Sequence, residues 1–142
     1  MSNSPTVCID ASIVLRHVLM PDYAPIKKIW QSWVSNGINL VAPSLLFYEV
    51  TNGLYQQERN KYLSPETIWK SIEYSLDLPI TLVNEKNLHL RAREIAIQYK
   101  LPATHDAHSL ALAEWMSIEL WTANARLVKA VKSFDLEWVK GI

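Results

Sequence analysis

Short apolar runs rich in β-branched residues alternate along this chain with longer stretches in which apolar residues return every three or four positions. The first pattern predicts strands, the second amphipathic helices. Thr6-Val-Cys-Ile9 is the first apolar run, and after Asp10-Ala-Ser12 the residues Ile13, Val14, Leu15, Val18 and Leu19 continue at helical spacing. This reads as strand, tight junction, helix. Pro21 and Pro25 end that helix, and Ile26, Ile29, Trp30 and Trp33 define the next one until Asn36-Gly37 supplies a stop. Ile38 to Ala42 predicts a second strand. Pro43-Ser44 opens a long helix through about Lys61, and Ser64-Pro65 starts another, with Ser64 as N-cap and proline in the first turn.

Pro79 to Val83 predicts a third strand, after which Leu88, Ala92, Ile95 and Ala96 mark a helix ending before Leu101-Pro102. A helix follows from Thr104 to about Met116. Ile118 to Thr122 predicts a fourth strand, Asn124 to Val131 a short helix, and Leu136 to Val139 a strand that closes the sheet. Strands alternating with helices imply right-handed crossovers and a three-layer α/β/α sandwich around a mostly parallel sheet. The 142 residues carry no internal repeat and no Gly- or Ser-rich linker, which predicts one domain over residues 1–142. Ligands of such sheets collect beyond the carboxyl ends of the strands, where Asp10 and Asn124 stand.

Composition narrows the class without naming a chemistry. Hydrophobic residues make up 49% and charged residues 20% of the chain, as in globular domains and unlike disordered ones. Met1 to Thr6 is polar, and no run approaches the ~18 apolar residues that span a bilayer. The expectation is a cytoplasmic protein without a membrane anchor. Cys8 is the only cysteine, so an internal disulfide and a cysteine metal cage are both excluded. Lys plus Arg and Asp plus Glu balance at 14 each, which lacks the basic excess of many nucleic-acid binders. A phosphate gripped through a metal ion depends less on net charge. Arg126, Lys129 and Lys132 recur every three positions after Asn124, either as a solvated helix face or as a cationic strip near the site.

Asp10 ends an apolar strand and precedes a helix, which suits an N-cap as well as a metal ligand at the sheet edge. In the helix after Ser44, the stripe Leu46, Val50 and Leu54 places Glu49 at its border, on the side of Gly53, where another backbone could approach closely. Asp106 falls in the first turn of its helix, where it complements the dipole, yet it points along the side of Leu110 and Ala113. A carboxylate facing an apolar side is expensive unless paired, and a hard divalent ion shared with other carboxylates offsets that cost. His105 and His108 lie about 100° and 160° around the helix from Asp106, on its other side. His17 and His89 have no spacing that recruits them. The six tryptophans sit within helix or strand patterns and read mostly as core or interface residues.

Val7-Cys-Ile-Asp-Ala-Ser-Ile-Val14, Ala42-Pro-Ser-Leu-Leu-Phe-Tyr-Glu-Val-Thr-Asn52, His105-Asp-Ala-His-Ser-Leu-Ala-Leu-Ala-Glu114 and Leu120-Trp-Thr-Ala-Asn-Ala-Arg-Leu127, taken in order, resemble the PIN-domain nucleases. The resemblance runs over nearly the whole chain and is strongest to the VapC-like toxins of toxin–antitoxin pairs. It implies a PIN-like α/β/α domain with Asp10, Glu49 and Asp106 as the acids that bind Mg2+ or Mn2+, and cleavage of RNA by metal-activated water. It also implies a homodimer and inhibition by a small antitoxin protein. Many members carry a fourth acid where this chain has Asn124, whose carbonyl oxygen can serve a metal or a water but adds no charge. Ser12 and Thr122 are expected helpers through their hydroxyls, with cap or strand roles as the alternative. Two other readings remain open: a catalytically weak or inactive PIN-like binding module, in view of Asn124 and the neutral charge, and an HD-type metal phosphohydrolase using His89, His105, Asp106 and Asp135. The second belongs to an all-helical family.

Overall fold

A computed structural model describes residues 5–142; the polar opening stretch Met1 to Ser4 lies outside the described residues. Strand β1 (Thr6–Ile9) leads into helix α1 (Ala11–Leu19) and α2 (Ala24–Ser35). Strand β2 (Asn39–Pro43) precedes α3 (Leu46–Arg59) and α4 (Pro65–Leu76), and β3 (Ile80–Val83) precedes α5 (Lys86–Gln98) and α6 (His105–Met116). The chain closes with β4 (Leu120–Thr122), α7 (Ala125–Lys132) and β5 (Val139–Gly141).

The strands form one five-stranded sheet in the order β3-β2-β1-β4-β5, parallel at every pairing. Its two faces are written in the alternation of each strand. Cys8, Val41 and Leu120 face a core built with Leu88, Ala92 and Ile95 of α5 and Leu110 of α6. Their neighbours Val7, Ile9, Leu40 and Ala42 face the opposite core, with Ile13 and Val14 of α1, Trp33 of α2 and Leu46, Val50 and Leu54 of α3. Strands buried on both sides read as continuous apolar runs, because both layers of helices demand apolar partners. The result is the three-layer α/β/α sandwich expected from the alternation, with a sheet that is wholly parallel.

Three local expectations change. Pro25 does not help end α1, which stops at Leu19; it sits in the first turn of α2, where proline costs no helical hydrogen bond. The closing strand is Val139–Gly141 and not Leu136 to Val139: Asp135 takes a left-handed φ of 53°, and pairing with β4 begins only at Val139. Gly53 is approached by the Leu15 side chain of α1 and not by backbone; a Cβ there would meet Leu15 Cδ1 at 2.6 Å. Trp33 is buried, as a core residue should be, whereas Trp69 and Trp115 are largely exposed. Among the described residues, no helix is long and apolar enough to cross a membrane.

Candidate active site

In a parallel sheet every strand ends at the same edge, so the helices that follow begin there too. The chain leaves β1 toward β2 on one side and β4 lies on the other, which makes the carboxyl ends of β1 and β4 the topological switch point of this sheet. Asp10 caps α1 and Asn124 caps α7 at that edge. Glu49 and Asp106 lie in the first turns of α3 and α6. Four helix N-termini, each a positive dipole end, thus carry the polar residues singled out in the sequence.

Asp10, Glu49, Asp106 and Asn124 line one cavity of about 420 Å³, together with Ser12, Tyr48, Asn52, His105 and Ser109. A larger cavity of about 1150 Å³ lies at the amino-terminal ends of the strands, around Thr6, Trp33 and Trp121. The smaller one occupies the edge where open parallel sheets place their ligands.

Asp10 is only 8% exposed and serves its helix and its neighbours with different oxygens. Oδ1 accepts the backbone N–H of Ser12 at 3.1 Å and of Ile13 at 3.4 Å, and the Ser12 hydroxyl as well. Oδ2 accepts the Thr122 hydroxyl at 2.5 Å. Each hydroxyl has one proton, so with both given to Asp10 their oxygens are free to accept. Ser12 Oγ accepts the N–H of Ala123 at 2.8 Å, and Thr122 Oγ1 that of Asn124 at 3.0 Å. The ends of β1 and β4 are stitched together through Asp10, and Oδ2, which accepts fewer hydrogen bonds than Oδ1, is the oxygen with spare acceptor capacity.

Burial raises the pKa of Asp10 above the ordinary carboxylate value; the charge on Asp106 adds to this, and the hydrogen bonds from Ser12, Thr122 and Ile13 oppose it. Burial also raises Glu49, with Asp10 and Asp106 adding repulsion and His105 pulling the other way. Asp106 is raised by burial and lowered in part by His105. Among the described residues none of the three carboxylates forms an ion pair, the salt bridges being at Lys70, Arg91 and Lys140. The three acids therefore share a pocket in which no Lys or Arg side chain is paired with them.

Asn124 is turned otherwise than its residue type alone suggested. Its carbonyl oxygen accepts the N–H groups of Arg126 at 3.0 Å and Leu127 at 3.4 Å, because the first turn of α7 needs an acceptor there. The amide nitrogen is left facing Asp106 Oδ2 at 3.5 Å. The fourth corner of the pocket is a hydrogen-bond donor beside a carboxylate. Sequence periodicity also missed His105, which lines the same cavity as Asp106, and His89, which meets His108 across two helices. No local spacing signals such meetings. Arg126, Lys129 and Lys132 are exposed on α7.

Hard oxygen donors with surplus negative charge suit a divalent cation such as Mg2+ or Mn2+ in kind. Their spacing is open: among the described residues, no three His, Cys, Asp or Glu side chains stand close enough together to hold one ion. Mg2+ keeps several waters and takes only one or two carboxylates directly, a mode that an open pocket can accommodate. The constellation proposed for an HD-type enzyme is overturned, since the fold has five strands and His89, His105, Asp106 and Asp135 form no such group.

No family model matches the chain, and no curated protein matches it. Solved structures do. PAE2754 from Pyrobaculum aerophilum superposes with a TM-score of 0.64 at 15% identity, over 95% of this chain and 97% of that one. A toxin–antitoxin complex from Klebsiella pneumoniae gives 0.58 at 20% identity over 94% of each chain. VapC20 of Mycobacterium tuberculosis, a toxin that cleaves the sarcin-ricin loop, gives 0.62 at 14% identity over 87% of this chain and 94% of its own. At such identities the likeness is one of fold. The chain has the three-layer PIN-like fold, in the form seen in VapC-type proteins.

Proposed function

We propose that this chain, acting as a single PIN-like domain over residues 1–142, is a metal-dependent ribonuclease and the toxin of a toxin–antitoxin pair. The observation that carries the reading is the set of three carboxylates without an ion-pair partner, the buried Asp10 and the half-buried Glu49 and Asp106, around one cavity at the sheet's switch point. Support also comes from fold neighbours that include a toxin–antitoxin complex and an RNA-loop-cleaving toxin.

Asp10, Glu49 and Asp106 would hold Mg2+ or Mn2+, which when bound polarises a phosphodiester and lowers the pKa of water at the site. The chain's own groups divide the remaining work. Ser12 and Thr122 hold the Asp10 carboxylate in one orientation, one hydroxyl on each oxygen. Asn124 directs its amide N–H toward Asp106, restraining that side chain and easing the repulsion among the acids. His105, at the rim beside Glu49 and Asp106, is a donor for a phosphate oxygen or for the leaving oxygen as charge develops on it. RNA is the substrate, a small antitoxin the inhibitor and a second copy of the chain the partner in a dimer.

Asp10→Asn keeps the size and cap of the residue while removing its charge. Total RNA incubated with this variant and Mg2+ should remain intact while the natural chain cleaves it and a chelator stops the cleavage. Undiminished cleavage by Asp10→Asn would sink the proposal. The open acid spacing and the neutral Asn124 favour a second reading, a binding module with little or no activity. A flat Mg2+ titration together with retained partner binding would select it.

A further inference from the structure

We propose that Tyr48, Asn52, Tyr55 and Arg59 of α3 form a track on which single-stranded RNA lies as it enters the acidic pocket, the two tyrosine rings stacking on bases and Arg59 pairing with a phosphate. The inference rests on the reading of that pocket as a site of RNA cleavage. The buried stripe of α3 is Leu46, Val50 and Leu54. Positions 48, 52, 55 and 59 keep the i, i+4, i+7, i+11 spacing of one helix face, and at about 100° per residue that face lies roughly opposite the buried one. All four residues are exposed, Tyr48 at 77% and Tyr55 at 52%.

The face begins at the pocket. Tyr48 and Asn52 line the same cavity as Asp10, Glu49 and Asp106, since they stand one before and three after Glu49 at the start of the helix. Tyr55 is seven residues beyond Tyr48, about 10 Å along the helix axis, and Arg59 is one turn further. At the ~3.4 Å rise of a stacked strand, that distance covers roughly three nucleotides. A strand whose scissile phosphate is at the acids therefore brings a neighbouring base to Tyr48 and a more distant one to Tyr55. The row opens directly into the cavity of the acids, which favours the substrate as its occupant over a second protein.

Among the described residues neither Tyr48 nor Tyr55 is paired with another aromatic ring, whereas Tyr74 and Tyr99 are. Their ring faces are open to a base. Asn52, between them, carries an amide donor and an amide acceptor for a base edge. Stacking needs no net charge, because every base has a π-face. It thus supplies affinity to a chain whose 14 basic and 14 acidic residues cancel, where counterion release alone would supply little. A duplex hides its base faces in the stack, so a track of this kind selects single strands, loops and bulges.

A fluorescein-labelled, unstructured RNA decamer titrated with the full chain in chelator, so that nothing is cut, reports binding by anisotropy. Tyr48→Ala and Tyr55→Ala should each weaken it at least ~fivefold, and Tyr48→Phe and Tyr55→Phe, which keep the rings, should restore most of the affinity. The alanine effects should be equal at low and high salt and absent on a decamer of abasic nucleotides, whereas Arg59→Ala should reduce the salt slope by about one. The same sequence as a duplex should bind more weakly than the single strand. Unchanged affinity in both alanine variants, no binding of the decamer by the natural chain, or a dimer that falls to monomer in the alanine variants with RNA affinity kept would each overturn the proposal. Tyrosine-dependent binding by a chain that cuts no RNA in Mg2+ would instead refute the nucleolytic reading and leave the track standing.

Discussion

Thr122 donates its hydroxyl proton to Asp10 Oδ2 at 2.5 Å, joining two strand ends that lie 112 positions apart in the chain. The Thr122 hydroxyl oxygen in turn accepts the N–H of Asn124, so one side chain orients a buried carboxylate and supports the turn that leads into α7. Thr122→Val, of nearly equal shape, removes donor and acceptor together. It should lower stability by about 1–3 kcal/mol in urea unfolding, the usual cost of leaving buried polar groups unpaired. Mg2+-dependent RNA cleavage should fall with it, and Thr122→Ser should restore both in large part.

The three raised carboxylates make stability depend on pH in a definite direction. A carboxyl whose folded pKa exceeds its unfolded value favours folding below the ordinary carboxylate range, and that contribution is lost as pH rises through the raised value. In chelator, the thermal midpoint of the natural chain should drop between mildly acid and neutral pH relative to that of Asp10→Asn. Millimolar Mg2+ should recover the loss at neutral pH. Identical pH profiles for the two chains would contradict the burial argument.

Asn124→Asp preserves the cap of α7, since a carboxylate caps as well as an amide oxygen does. It replaces the donor facing Asp106 with a fourth negative charge. The metal-free variant should be less stable than the natural chain, and Mg2+ affinity by calorimetry should rise about tenfold, or ~1.4 kcal/mol. An unchanged affinity would mean that position 124 does not share the field of the three acids.

Gly53 marks the place where α1 crosses α3, with Leu15 Cδ1 and Cδ2 at 2.6 and 2.9 Å from where a Cβ would stand. Gly53→Ala should force Leu15 aside and cost about 1–3 kcal/mol by overpacking. Pairing it with Leu15→Ala should recover part of the crossing, measured as non-additivity in a double-mutant cycle.

Cys8 is fully buried on β1, its thiol facing the Ser109 carbonyl oxygen at 3.7 Å, and burial pushes its pKa far up. A thiol kept from ionising is a poor nucleophile. Alkylation by a thiol reagent should track global unfolding across a denaturant series; rapid labelling of the native chain would show that β1 opens locally.

Much of the fold was legible because helix and strand faces are local properties. Val7 and Ile9 alternate with Cys8, and Leu46, Val50 and Leu54 recur at helical spacing, so the faces they bury could be assigned without knowing what lies against them. The stop and start signals at Asn36-Gly37 and Ser64-Pro65 likewise act within a few residues. The closing strand was misjudged by three positions because Leu136 and Trp138 are apolar through packing against the α5–α6 core, and pairing with β4 begins only at Val139.

The amino-acid sequence by itself determined that Asp10 and Asn124 follow strands, that Glu49 and Asp106 open helices, and that such residues meet at one edge of a parallel sheet. Chain direction does this, since parallel strands all end on the same side. Only the tertiary structure decided which atoms face the pocket. Asn124 spends its oxygen on α7 and turns its amide to Asp106. Thr122 reaches Asp10 only because β4 is the neighbour of β1, and His89 reaches His108 only because α5 packs on α6. These meetings depend on strand order and helix packing, which join residues far apart in the chain and leave no periodic mark along it.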